Sequence, residues 1–241
     1  MKNLKLFSII LTGVIIMSTV ISSFAQKISG DGNVVKETRS LTSFNKIESD
    51  GVVNVILIQS GSEFAEVETD KNLQQIVVTS VKDNTLTITT KKDSEIENST
   101  KLNVYVNFKD IKSLELNSVG NIKSQGQLKL SKLDIENNSV GNIDLNLDCN
   151  TLEIENNSVG NTTLTGNVDN CIVELNSVGN LSAFDLVAQT LVIESNAVGN
   201  AEVNSVKEIS ISQNGMGNIV YKGDAVVKKL EKSGLGNVKK E

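Results

Sequence analysis

The chain contains no proline, no histidine and no tryptophan, and it has one arginine, Arg39, two tyrosines, Tyr105 and Tyr221, and two cysteines, Cys149 and Cys171. Each shortage excludes something. Without proline no strand has to give up a ladder donor, so long uninterrupted β-ladders are open to this sequence. Without histidine, imidazole metal ligands and imidazole general bases are excluded. The scarcity of aromatic side chains removes the flat apolar platforms on which sugar rings stack, and a single arginine leaves little to grip uronate carboxylates. Both shortages weigh against a polysaccharide-active lyase or hydrolase.

Positive charge is also short. Lys2 and Lys5 precede an apolar run over residues 6–21, and Ser23, Phe24 and Ala25 supply a cleavage context, the pattern of a secretory signal peptide over residues 1–25 cut before Gln26. The rival reading is an uncleaved anchor, because the run is nearly long enough to span a bilayer. No cysteine follows it that could carry a lipid. After cleavage 21 basic residues face 29 acidic ones, a net charge of −8 that repels phosphate backbones and disfavours nucleic acid as a partner. No second apolar stretch is long enough to cross a membrane, so the expected location is the periplasm, the outer-membrane surface or the exterior.

What the chain has in abundance is Gly-Asn. Seven copies of the pair, Gly120-Asn121, Gly141-Asn142, Gly160-Asn161, Gly179-Asn180, Gly199-Asn200, Gly217-Asn218 and Gly236-Asn237, follow one another at the near-constant intervals of 21, 19, 19, 20, 18 and 19 residues. A unit of that size cannot bury its own apolar face and must stack on its copies, so the spacing predicts a solenoid. Counting from each glycine, position −6 is always apolar: Leu114, Ile135, Ile154, Val173, Ile193, Ile211 and Leu230. Position −5 is acidic or polar, and inner rungs are apolar again at −8. This period of two marks a strand with one buried face.

The residues just before the glycine, Val119, Val140, Val159, Val178, Val198, Met216 and Leu235, are expected to point inward, as are Ile122, Ile143, Thr162, Leu181, Ala201, Ile219 and Val238 two places after it. Each rung then reads as strand, sharp bend at Gly-Asn, second strand and looser turn. Two asparagine columns follow, the one at the Gly-Asn pairs and another at −3 formed by Asn117, Asn138, Asn157, Asn176, Asn196 and Asn214; stacked amides can hydrogen-bond from rung to rung, a structural role.

The acidic column Glu115, Glu136, Glu155, Glu174 and Glu194, with Asp134 and Glu153 beside it, is the one feature resembling a site. Carboxylates at rung spacing repel one another, and calcium could relieve that with oxygen ligands. Lysines such as Lys123 and Lys132 could relieve it too, and no calcium-type nonapeptide is present, so a solvated acidic face is the expectation. A glycosidase-like carboxylate pair such as Glu136 and Glu155 has no diagnostic value, because a repeated row supplies that separation by itself. No catalytic residue, metal site or cofactor is expected.

Cys149 and Cys171 fall in different inward columns, Cys171 with Leu133, Leu152, Leu191 and Ile209, and Cys149 with Val168 and Val187, which favours two buried thiols over a bridge. Lys228, Lys229, Lys232, Lys239 and Lys240 gather on the last rung, where charge guards an open edge.

Before the repeats, residues 26–110 carry alternating runs at 52–59, 64–69, 75–81, 85–90 and 102–108. The turn signals Ser60-Gly61-Ser62 and Lys82-Asp83-Asn84 are short enough for hairpins. This half is expected to be an irregular or antiparallel β layer covering the first rung and continuous with the repeat over 111–241. Phe44-Asn45-Lys46-Ile47, Gly51-Val52-Val53-Asn54-Val55, Asp70-Lys71-Asn72-Leu73, Ile76-Val77-Val78 and Asn84-Thr85-Leu86-Thr87-Ile88, followed by the Gly-Asn repeats, resemble the exported bacterial proteins called putative auto-transporter adhesins with a head GIN domain. The resemblance implies a right-handed single-stranded parallel β-helix from a Bacteroidetes-type bacterium and supplies no site residues; no translocator barrel follows the repeats, so self-translocation is not expected. Three functions stay open. The first is a non-enzymatic adhesin or envelope-binding module whose partner is a host or cell-surface glycan or protein. The others are a polysaccharide-active enzyme and an envelope scaffold with no small ligand.

Overall fold

The structure is a computed structural model that describes residues 26–241; the signal-peptide reading falls outside them. The fold is a β-solenoid, and the only helical element among the described residues is one 3-10 turn, Lys71–Leu73.

The first half of the described chain comprises β1 (Gln26–Ser29), β2 (Val34–Ser40), β3 (Lys46–Val52), β4 (Asn54–Gln59), β5 (Phe64–Asp70), β6 (Val77–Lys82), β7 (Thr85–Thr90), β8 (Ser94–Asn98) and β9 (Leu102–Phe108). The repeats supply β10 (Ser113–Val119), β11 (Ile122–Asn137), β12 (Ile143–Asn156), β13 (Thr162–Leu175), β14 (Leu181–Ser195), β15 (Ala201–Gln213), β16 (Ile219–Lys222), β17 (Val226–Lys232) and β18 (Val238–Lys240).

In the repeat region every neighbour is parallel and in the register of the Gly-Asn clock: Ile135 pairs with Ile154, Ile154 with Val173, and Val173 with Ile193. The expected looser turn does not break the rung. Strands β11 to β15 run 13–16 residues without interruption, and the unequal rung lengths are absorbed as bulges in their first halves, between Lys123 and Gln127, Thr163 and Gly166, and Ala183 and Val187. One bulge shifts the column of Cys149 and Val168: its next member is Ala188, not Val187, and Ala188 is the buried one.

Parallel stacking begins earlier than the clock. Strand β3 pairs with β10 from Lys46↔Ser113 to Val52↔Val119, and β4 pairs with β11 at Val55↔Ile122, so residues 46–59 form a rung of the same register. A further layer, β7 and β9, stacks parallel on β3 and β4. Beyond it the hydrogen-bonding sense reverses: β6 is antiparallel to β7, β5 to β9, and β2 to β5. This closes the apolar end of the stack. The Lys82-Asp83-Asn84 turn is a true hairpin, with positive φ at Asp83 and Asn84. Ser60-Gly61-Ser62 is not, because β9 inserts between β4 and β5.

Asp70 locks this cap. Fully buried, it accepts hydrogen bonds from the Gly32 N–H (2.8 Å), the Thr100 N–H (2.7 Å) and the Thr100 hydroxyl (2.9 Å), tying two loops to the end of β5. Burial pushes its pKa up, but these hydrogen bonds outweigh that and leave it below the ordinary aspartate range.

A single apolar core runs from Phe44 in the cap to Ile219, filled by the −8, −6 and +2 columns. The last rung departs from the expectation: Leu230 is half exposed and Val238 only half-buried, because nothing stacks beyond them in the structure. The lysines there pair outward, Lys228 with Glu208 at 3.0 Å and Lys229 with Glu231 at 2.8 Å. Both cysteines are buried free thiols, raised by burial to about 11 for Cys149 and about 12 for Cys171.

Candidate functional site

The repeat builds one outer face whose composition hardly changes from rung to rung. Alternation fixes which columns reach it. From −8 the inward positions run without a phase change through −6, −4 and −2 to +2, leaving −5, −3, −1 and +1 outside. The valines at −1 therefore point outward, contrary to the sequence expectation. Val119 is 51% exposed, Val159 53% and Val198 47%, and Met216 and Leu235 continue the line. Their expected inward places belong to Ser118, Ser139, Ser158, Ser177 and Ala197. The Gly-Asn bend turns the chain without resetting the alternation.

The glycines stand where rungs come too close for a side chain. A Cβ on Gly141, Gly160 or Gly179 would collide with the carbonyl oxygen of the glycine on the preceding rung, and φ at these residues is 148–151°. Only glycine takes that conformation at little cost.

Beside the bend, each Gly-Asn asparagine accepts the backbone N–H of its copy on the next rung. Asn121 Oδ1 takes the Asn142 N–H at 3.0 Å, and the chain of contacts runs through Asn161, Asn180, Asn200 and Asn218 to Asn237. Asn54, one rung before Gly120-Asn121, starts the ladder by accepting from the Asn121 N–H at 2.9 Å. The −3 amides form the second ladder and also hold the acidic row. Asn157 Nδ2 donates to Asn138 Oδ1 and to Glu155 Oε1, each at 3.0 Å; Asn176 does the same to Asn157 and Glu174.

The acidic row is brought together as expected, and its charge is offset at two points. Lys132, one of the two lysines expected nearby, bridges Asp134 (3.1 Å) and Glu153 (3.4 Å). Glu115 pairs at 2.6 Å with Lys46, which also reaches Glu48. That hydrogen bond holds the Glu115 carboxyl below its usual range and raises the Lys46 ammonium. Among the described residues no group of three or more cysteine, aspartate or glutamate side chains is placed to hold a metal ion.

The sequence reading missed a polar line inside the core at −4. Buried Asn137 donates to Asn156 Oδ1 at 2.8 Å, Asn156 donates to Thr162 Oγ1 at 3.3 Å, and the hydroxyls of Ser139 and Ser158 donate to the amide oxygens of Asn137 and Asn156. The available signal was an amide at a position whose neighbours two residues before and after are inward, at Asn137 and Asn156.

Two shallow hollows lie off this face. One, about 890 Å³, borders the cap and contains Arg39, whose guanidinium is committed to the carbonyl oxygens of Val77 and Gln74, both at 2.6 Å, and to Glu37. The other, about 500 Å³, is lined by Gln59, Lys129, Asp148, Asn150 and Gln189 over the raised thiol of Cys149, which at neutral pH is a protonated, poor nucleophile.

Residues 43–225 match the family described as "Putative auto-transporter adhesin, head GIN domain". The chain belongs to that family. Among solved structures it is similar to a putative adhesin from Bacteroides fragilis NCTC 9343, with 27% identity and a TM-score of 0.83 over 89% of this chain and 100% of that one. It is also similar to a putative adhesin from Parabacteroides distasonis ATCC 8503, with 26% identity and a TM-score of 0.67 over 90% and 100%. A protein from the same strain named a putative lipid binding protein shares the fold, at 22% identity and a TM-score of 0.68 over 90% and 100%. No curated protein matches the chain. Among the described residues no helix is long and apolar enough to cross a membrane.

Proposed function

We propose that this family member is an exported, non-enzymatic binding module of the adhesin type, acting at the cell envelope or surface through the outer face of its solenoid. The observation that carries the reading is the face itself: glutamate, asparagine, valine and asparagine columns repeat over successive rungs with no inserted loop, which gives an extended rigid surface suited to a long or repetitive partner. Membership of a family named for adhesins, and two adhesin-named structures of similar fold, support it. The non-enzyme part rests on chemistry. The only arginine is used to latch the cap, the thiols are buried, and the carboxylates form a uniform row in which no pair is set apart by burial or by a loop. Catalytic groups concentrate on loops carried by a scaffold, and these rungs carry none.

The experiment is direct binding of the purified protein to a glycan array, matrix proteins and whole cells, with polysaccharide turnover assayed in parallel. Saturable binding without turnover is the expected result. Turnover of a polysaccharide would replace this reading with an enzymatic one.

A further inference from the structure

The outward valine column is an unbroken apolar ridge of eight members: Val52, Val119, Val140, Val159, Val178, Val198, Met216 and Leu235, all 47% exposed or more. It is flanked by the −3 column (Asp50, the six asparagines and Ser233) and by the Gly-Asn column that starts at Asn54. Across all three columns Asp50 is the only charged residue, in a chain with a marked negative charge.

We infer that this ridge is a homodimer interface, on which a second copy of the chain docks antiparallel by a two-fold axis between Val159 and Val178. Three arguments select a second copy as the occupant. The first is electrostatic: copies of an acidic protein repel one another, and this uncharged strip is where two can approach without facing like charges. The second is periodicity. A ridge of side chains repeating every ~4.8 Å meets matching grooves along its whole length only on a surface of the same repeat, and an antiparallel copy lets the valines interdigitate as facing ladders do. A two-fold axis also closes the assembly, because the same patch serves both partners.

The third is area. Eight rungs at ~4.8 Å and three outward columns at ~7 Å give a strip of roughly 500–750 Å² per copy, or on the order of 1,000–1,500 Å² in total, within the range of specific interfaces. The outer amides can pair across the rim. The acidic −5 rows stay outside it and are the part of the outer face left open to a partner; the two-fold carries both rows to the same side of the dimer, where a repetitive partner can engage them together. The inference does not depend on the binding function proposed above.

The test is the mass of the protein, purified after export, by sedimentation equilibrium at about 100 µM, where a micromolar dimer is largely formed. A dimer is expected, and the pair Val159→Asp with Val178→Asp should weaken it at least tenfold while leaving the melting temperature unchanged at a dilution where both proteins are monomeric. The near-isosteric pair Val159→Thr with Val178→Thr serves if the charged variant folds poorly, and should also weaken the dimer. The antiparallel arrangement is read by mixing Val119→Cys and Met216→Cys proteins, which should cross-link to each other. A monomer at that concentration overturns the inference, as does a dimer indifferent to both substitution pairs or cross-linking Val119→Cys only to itself. Ridge variants of a monomer that lose cell or glycan binding would show that the ridge docks another partner, overturning the second-copy assignment while leaving the adhesin reading standing. A ridge dimer that binds no cell, matrix protein or glycan would do the reverse.

Discussion

Gly141 stacks on Gly120 so closely that a Cβ on Gly141 would intrude on the Gly120 carbonyl oxygen, and φ of 151° at Gly141 already disfavours any other residue. The same relation recurs along the clock. Gly160→Ala, at φ of 149°, should therefore cost about 3 kcal/mol or more, from backbone strain together with displacement of a rung. Urea denaturation of the two proteins measures it, and a loss under about 1 kcal/mol, the cost of an ordinary surface change, would contradict the close-approach account.

Asparagines one residue apart should differ sharply. Asn156 is buried, accepts from Asn137 and Ser158 and donates to Thr162, whereas Asn157 is exposed on the outer ladder. Asn156→Ala leaves buried partners unsatisfied and should cost about 2–3 kcal/mol, against about 1 kcal/mol or less for Asn157→Ala, whose partners can turn to water. Equal costs would mean that the interior amides are not the stronger links.

Acid should loosen the cap through Asp70. Its folded pKa is lowered, so its contribution is complete above the ordinary aspartate value of 3.8 and is lost as pH falls through the lower folded value. Asp70→Asn should be less stable than the parent at pH 7, with the gap narrowing as the pH drops below about 4. Denaturation midpoints of both proteins from pH 7 to pH 2.5 give the comparison; a gap independent of pH would show that the carboxylate charge is not what the three donors hold.

Calcium should leave the fold unchanged. Glu136, Glu155 and Glu174 each lend one oxygen to an asparagine of the same rung, and Glu115 is paired with Lys46. Millimolar calcium is expected to shift the melting temperature by less than about 1 °C, since only a ligand that binds the native state well above its dissociation constant stabilises it. A rise of several degrees that is abolished by Glu155→Gln would make the row a cation site.

The solenoid was legible because its unit is short and its punctuation strict: the −6 column, the +2 column and both asparagine ladders lie where the clock puts them. The valines are misplaced when valine is read by default as core, although the alternation carried from −6 through −4 and −2 leaves −1 outside. Following the period of two through Ser139 and Val140 assigns them correctly. The rung at residues 46–59 lacked a Gly-Asn mark, since Val53 stands where later rungs have glycine, although Ile47, Glu48, Val52 and Asn54 keep the spacing. The insertion of β7 and β9 beyond that rung was not legible at all. It depends on which of several similar strands meet across distant sequence, and local pattern does not encode that choice.

The most direct test of the functional account asks which surface binds. Labelled wild-type protein, the pair Glu155→Lys with Glu174→Lys on the outer face, and Asp148→Lys in the separate groove would be titrated onto whole cells and onto any glycan or matrix protein that captures the wild type. The account predicts saturable wild-type binding, weakened at least tenfold, about 1.4 kcal/mol, by the outer-face pair and unchanged by Asp148→Lys. Binding that survives the outer-face pair but fails with Asp148→Lys, or no binding by the wild type at all, would contradict it.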